Sequence, residues 1–205
     1  MKKVIVRLGN GLGNQLFTYA AAYSFAKKNN AKLYVDDESG FYKRYKYELH
    51  NFNISADIVD KKYKFLGIGG RFKRKLLKVL NKYNTNKFFL IEEADKNKLA
   101  YYNPGQFNKN FAEKLYFEGY FQSEKYFDSE KLNLLKEYTF KNIILHQKSS
   151  FVNLIKNTNS ISIHVRQNKF LSEDKIKDAE KLNLEFLKNS IEIIKKGIDY
   201  FDKNI

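Results

Sequence analysis

An α/β fold on a parallel, Rossmann-type sheet is predicted by two features of the first forty residues and two later strand-like runs. Residues 3–8 (KVIVRL) form a short apolar run closed by glycine, the mark of a buried strand. Residues 15–28 then place Leu16, Phe17, Ala20, Ala21, Ser24 and Phe25 near helical intervals, and AKLYVDD (31–37) reads as a second strand. A strand–loop–helix–strand unit of this kind makes a crossover, and a crossover sets its two strands parallel. KLYFEGYFQSEKYF (114–127) reads as a strand through Gln122, and SISIHVRQNKF (160–170) as another.

The intervening elements follow in order. Residues 41–56 are aromatic and basic and are expected to form loop with short irregular turns. Lys61 to Lys87 holds ten basic residues and no acidic one, with Phe65, Ile68, Phe72, Leu76, Val79, Leu80 and Tyr83 at three- and four-residue steps. This predicts a basic amphipathic helix broken at Gly67, Gly69 and Gly70. Such a helix is either a surface helix with a solvated lysine face, or a face that meets anionic lipid or a phosphorylated acceptor. Ser123 is a plausible N-cap for the turn after the 114–122 strand, and Asp128 and Ser129 for the helix that follows. Residues 146–159 resemble an inter-domain connection. LNLEFLKNSIEIIKKGIDYF (182–201) reads as a helix with Leu184, Leu187, Ile191, Ile194 and Ile198 on one face. A strand and a helix at 160–201 are too short to bury both faces of a second sheet, so they either complete the first domain or begin a second one; the second reading, taken here, divides the chain at 1–157 and 158–205.

Composition narrows the function. The chain has 205 residues, is 43% hydrophobic and 16% aromatic, and can build a core. No run approaches the roughly 18 apolar residues of a membrane span, and the opening MKKVIVRLGNGLGN meets glycine too soon for an export signal. Cysteine is absent, which excludes disulfides and thiolate metal sites and fits a cytoplasmic location. Histidine occurs only at 50, 146 and 164, so no metal site is expected. The net charge of +15 suggests an anionic partner. Only five of the 38 basic residues are arginine, at 7, 44, 71, 74 and 166, and arginine is the usual reader of base edges. Nucleic acid is accordingly not the expected partner.

Two constellations carry chemistry. The first is the loop Gly9-Asn10-Gly11-Leu12-Gly13-Asn14-Gln15 between the first strand and helix. Glycines allow a ligand to approach the backbone, and a helix N-terminus offers free N–H groups to an anion. A dinucleotide fingerprint would need a third glycine where Asn14 stands, and a P-loop would need Gly-Lys-Ser/Thr. Asn14 and Gln15 bring amides suited to sugar hydroxyls or a nucleotide. The plain alternative is a tight turn that needs glycine. The second constellation is SISIHVR, in which Ser162, His164 and Arg166 share one face of the strand and Arg166 stands at its end. A guanidinium there can clamp a diphosphate, or can pair with a structural carboxylate; His164 can equally be a satisfied core imidazole.

GLGNQLFTYAAAYSFAKKNNAKLYVD, GYFQSEKYF and SISIHVR, in this order and spacing, resemble the α-1,2-fucosyltransferases and their relatives from residue 1 to about 201. The resemblance implies a GT-B-like fold: a Rossmann-type N-terminal domain carrying the GLGNQ loop, followed by the start of a second α/β donor-binding domain. It implies inverting, metal-independent transfer of fucose from GDP-fucose to a galactoside-type hydroxyl of a bacterial surface glycan, without a cofactor. Carried over residue by residue, it assigns substrate binding to Gly11, Gly13, Asn14, Gln15, His164 and Arg166. It leaves the catalytic base unassigned; Asp36, Asp37 and Glu118 are candidates. The family's His-x-Arg-Arg-Gly-Asp is not kept, because Gln167, Asn168 and Lys169 follow Arg166. The family's further donor-binding motifs are expected beyond residue 201, so the second domain is expected to be incomplete here. The alternatives are a basic module on nucleic acid or a membrane surface, and a dinucleotide-binding Rossmann enzyme.

Overall fold

The structure is a computed structural model that describes residues 1–41, 45–92, 102–141, 150–161, 163 and 178–204, with backbone only over 202–204. The chain divides into two compact units, Met1–Ile143 and Ile144–Ile205. The first is an α/β domain whose five strands all run parallel: β1 (Lys3–Arg7), β2 (Lys32–Asp36), β3 (Asp57–Ile58), β4 (Lys87–Ile91) and β5 (Phe111–Glu118). Their order across the sheet is β3-β2-β1-β5-β4. The strand expected at 114–122 thus begins three residues earlier and ends at Glu118. β4 (KFFLI) is an edge strand that the sequence reading passed over.

Alternation along β1 divides the core. Val4 and Val6 face helix α1 (Leu12–Lys28), and Ile5 faces the opposite side with Phe65, Phe89 and Tyr116. α1 begins three residues before the periodicity suggested. It is buried all round from Thr18 to Ala26, because a further layer covers the side turned away from the sheet. That layer includes helix α3 (Lys131–Glu137), where Glu137 accepts the Tyr19 hydroxyl at 2.5 Å. Burial, reinforced by that carboxylate, pushes the Tyr19 hydroxyl far above its usual range. Ala20, Ala21 and Ala22 let the layers approach closely.

Helix α2 (Gly67–Tyr83) covers the other face. Its glycines lie in the first turn, so they start the helix and do not break it. The side turned to the sheet is mostly polar: Leu77 packs into the core, while Arg74 and Lys78 reach Glu118. Asn81 bonds the β4 backbone, accepting from Phe88 N at 2.7 Å and Phe89 N at 3.0 Å and donating to Phe89 O at 3.0 Å. After β5, Ser123 precedes a 3₁₀ turn (Glu124–Tyr126) without a side-chain cap bond, and Glu130 occupies the N-cap position of α3.

The second unit contains α4 (Ser150–Asn157), inside the segment expected to be a connection, and α5 (Ala179–Asn204). On α5 the shielded positions are Ala179, Asn183, Phe186, Leu187, Ser190, Ile194 and Gly197, whereas Leu184, Ile191 and Ile198 are exposed. Of the five residues expected on one face, Leu187 and Ile194 are thus shielded, and the covered face is rotated from there toward Asn183, Phe186, Ser190 and Gly197. Of the SISIHVR stretch, Ser160, Ile161 and Ile163 have no regular structure.

Candidate functional site

In an open α/β sheet, ligands gather outside the carboxyl ends of the strands where the strand order reverses. Here that point lies between β1 and β5, because the chain runs outward from β1 through β2 and β3, then returns on the other side through β4 and β5. A cleft of about 490 Å³ opens there, with walls that include Arg7, Asn10, Arg74, Glu92, Glu118 and Tyr120.

Two loops build it. The first follows β1, where Asn10 takes the left-handed conformation (φ 63) that asparagine tolerates. Gly9 is required by close approach, since a Cβ there would stand 2.6 Å from the Gly40 carbonyl oxygen. The second follows β5. Gly119 adopts φ 151, and a Cβ on it would run into Glu92 and Phe121, so only glycine fits. Phe121, fully buried, is itself at φ 48, a conformation rarely found in a bulky residue outside a constrained site.

These loops are tied to one another. Asn10 Nδ2 donates to the Tyr120 hydroxyl at 3.4 Å, and Gln122 Nε2 to Asn14 Oδ1 at 2.8 Å. The Thr18 hydroxyl reaches the Asn14 and Gly119 carbonyls at 2.8 and 2.9 Å, its single proton serving one at a time. GLGNQ and GYFQSE, separated by about a hundred residues, therefore meet at the head of the sheet.

The predicted site residues play distinct parts in this geometry. Gln15 is fully buried and its amide is committed to the chain itself. Nε2 donates to Asn10 O and Lys46 O, both at 2.9 Å, and Oε1 accepts from Glu48 N at 2.9 Å. It pins the 46–48 loop against the β1–α1 loop. Gly11 is the N-cap of α1, Asn14 is half-buried and Gly13 is exposed, with nothing within 4 Å of a Cβ placed on it. No acidic residue stands in the first turn of α1 and no side chain caps it. His164 and Arg166 lie outside the described residues.

The three carboxylates considered as bases are all engaged. Asp36, wholly buried, accepts Ser39 N at 2.9 Å, Glu38 N at 3.1 Å and the Ser39 hydroxyl. Asp37 pairs with Lys64 at 2.5 Å. Glu118 accepts Arg74 Nε and Nη2 at 2.7 and 2.5 Å and Lys78 Nζ at 2.5 Å. Burial pushes the Glu118 carboxyl up, but the hydrogen bonds and charges of Arg74 and Lys78 outweigh it and hold the group below the usual carboxylate range. A carboxylate so held is a poor proton acceptor.

Sequence reasoning missed Arg7, Arg74, Glu92 and Tyr120 as cleft residues. The signal for Arg7 was available: arginine is scarce, and Arg7 stands at the carboxyl end of β1 just as Arg166 was expected to stand at the end of its strand. Arg7 donates to the Ser39 hydroxyl at 3.1 Å and to the Ser39 carbonyl, which holds it at the cleft. Among the described residues, no three His, Cys, Asp or Glu side chains are grouped to hold a metal ion. No described helix is long and apolar enough to cross a membrane.

Neither a protein-family model nor a solved structure matches the chain. It is similar to an alpha-1,2-colitosyltransferase of Escherichia coli, 31% identical over 180 residues, which cover 84% of this chain and 57% of that protein. The chain thus spans little more than half the length of the relative it matches, and the kinship this supports is with a glycosyltransferase.

Proposed function

We propose that this chain belongs to a glycosyltransferase that moves a deoxysugar, fucose or its close relation colitose, from a GDP-linked donor to a hydroxyl of a bacterial surface glycan, with residues 1–157 on the acceptor side. The observation that carries the reading is the joining of the loop after β1 to the loop after β5, by Asn10 with Tyr120 at the wall of the cleft and by Asn14 with Gln122 beside it, in a chain 31% identical to a colitosyltransferase.

Transfer with inversion needs an acceptor hydroxyl to attack the sugar C1 while the nucleoside diphosphate departs. Negative charge grows on the departing phosphate, so fixed donors aimed at it lower the barrier. The N-terminus of α1, with neither an acid nor a side-chain cap in its first turn, is suited to supply such donors; the family resemblance separately gives Arg166 a phosphate-binding role. Gly13 supports this reading, because glycine is a poor helix former and no atom among the described residues requires it there. A ligand passing close to the backbone would. Gln15 contributes by holding the loop's shape, with Asn14 the amide nearer the surface. The proposed transfer uses no metal or cofactor.

Thermal melts of the protein expressed from its full coding sequence test this. GDP, GDP-fucose or GDP-colitose at a hundred times Kd should stabilise it by about 2.7 kcal/mol, a rise of several degrees in melting temperature. A shift with NAD and none with the GDP compounds would turn the assignment to a dinucleotide enzyme. Salt-sensitive oligonucleotide binding that ignores GDP would turn it to a nucleic-acid module.

A further inference from the structure

We propose that α2 is a docking helix for the anionic surface of a phospholipid bilayer. This stands apart from sugar transfer, and neither conclusion falls with the other. A helix on a sheet ordinarily buries its apolar stripe, and α2 does the opposite. Gly70, Arg74, Leu77, Lys78 and Asn81 form its sheet side, through the Glu118 ion pairs and the β4 backbone bonds. Ile68, Phe72, Leu76, Val79 and Tyr83 lie half a turn away, at about 100° per residue. They are open to solvent, Ile68 at 87%, Phe72 at 70% and Tyr83 at 86%. The stripe is about 22 Å long at 1.5 Å per residue.

Charge identifies what meets it. Between Lys61 and Lys87 there is no acidic residue. Lys73 stands on one side of the stripe, and Arg71, Lys75 and Lys82 on the other, as in a helix lying in the plane of a membrane interface. Beside the stripe, between α2 and β4, runs a groove of about 460 Å³ whose wall, among the described residues, holds Lys75, Lys78, Lys82, Lys87 and Lys109 with the acid Glu92. Such a groove suits a lipid phosphate, while Phe72 and Leu76 enter the acyl boundary. A protein partner complementary to this face would have to combine an apolar ridge with almost unbroken negative charge, which a headgroup layer over acyl chains does by its nature.

The test is co-sedimentation of the whole chain with phosphatidylcholine vesicles, with and without a third of phosphatidylglycerol. Binding should appear only on the mixed vesicles and weaken with salt. K73Q/K75Q/K82Q should weaken it about a hundredfold, at roughly fivefold per cation, and F72E/L76E at least about tenfold. If F72E/L76E binds like the wild type, or if pure phosphatidylcholine binds equally well, the proposal is overturned: the first result is adsorption by net charge, the second binding without headgroup charge. It is overturned also if F72E/L76E lowers the melting temperature, because the stripe is then covered by the chain itself. Absence of vesicle binding overturns it too; if a dimer dissociated by F72E/L76E accompanies that absence, the occupant is a second copy.

Discussion

Gln15→Ala separates the structural work of the opening loop from its ligand chemistry. Gln15 makes three hydrogen bonds, each 2.9 Å, from a fully buried position. Each bond contributes about 1 kcal/mol net, and each partner left dry would cost 1–3 kcal/mol. Asn10 is half-buried and Lys46 exposed, so water can reach the freed carbonyls, and the sum stays near the lower bound. The expected loss is about 3 kcal/mol, or roughly 6–12 °C in melting temperature for a domain of this size. Scanning calorimetry without ligand reads it directly, and hydrogen exchange should show the Glu48 amide opening faster. Gln15→Glu should do no better, since it sets a carboxylate oxygen against two carbonyls. A melting temperature within about a degree of wild type for Gln15→Ala would refute the reasoning, since the 46–48 loop would then be held by something else.

Gly13→Ala should stabilise the unliganded protein by about 0.5–1 kcal/mol, because alanine is the better helix former and nothing obstructs its Cβ. The same change should weaken GDP binding in titration calorimetry; unaltered affinity would remove the close-approach argument for that glycine. Glu118→Gln should cost about 3 kcal/mol at neutral pH by leaving Arg74 and Lys78 against a neutral amide. The folded Glu118 carboxyl titrates below its unfolded value, so its stabilisation is complete above the ordinary carboxylate range and fades as pH falls through the lowered folded value. Urea melts across the acid range should therefore show a flatter pH dependence in the variant, and parallel curves would contradict the ion-pair account.

The α/β class was legible because β1, α1 and β2 follow one another with unambiguous periodicity. Local order also carried the positions of α3 and α5. β4 escaped because KFFLI is short and stands in the sequence between a lysine-rich helix and the acidic run EEAD, so its strand character depends on β5 beside it. α2 shows what a pattern leaves open. Its apolar stripe was readable at the right residues, but periodicity does not say which side meets the sheet. The answer came from Glu118, at the end of a distant strand, and from the Asn81 contacts with β4. Gln15 was read as a ligand-facing amide because nothing nearby in sequence announces the 46–48 loop that consumes it. Arg74 and Glu92 reach the cleft through long-range packing and carried no local signal, whereas Tyr120 lay within GYFQSEKYF.

The central position of β1 bears on how the domain assembles during synthesis. β1 lies between β2, which follows after a single helix, and β5, which pairs Lys3 with Lys114. At ribosomal rates of about 5–20 residues per second, one flank of this apolar strand waits roughly 5–20 s for its neighbour. Throughout that interval Val4, Ile5 and Val6 present an unpaired backbone to anything extended that passes. A nascent chain halted before residue 111 would retain that open flank, and pairing with other chains or capture by a chaperone is its natural fate.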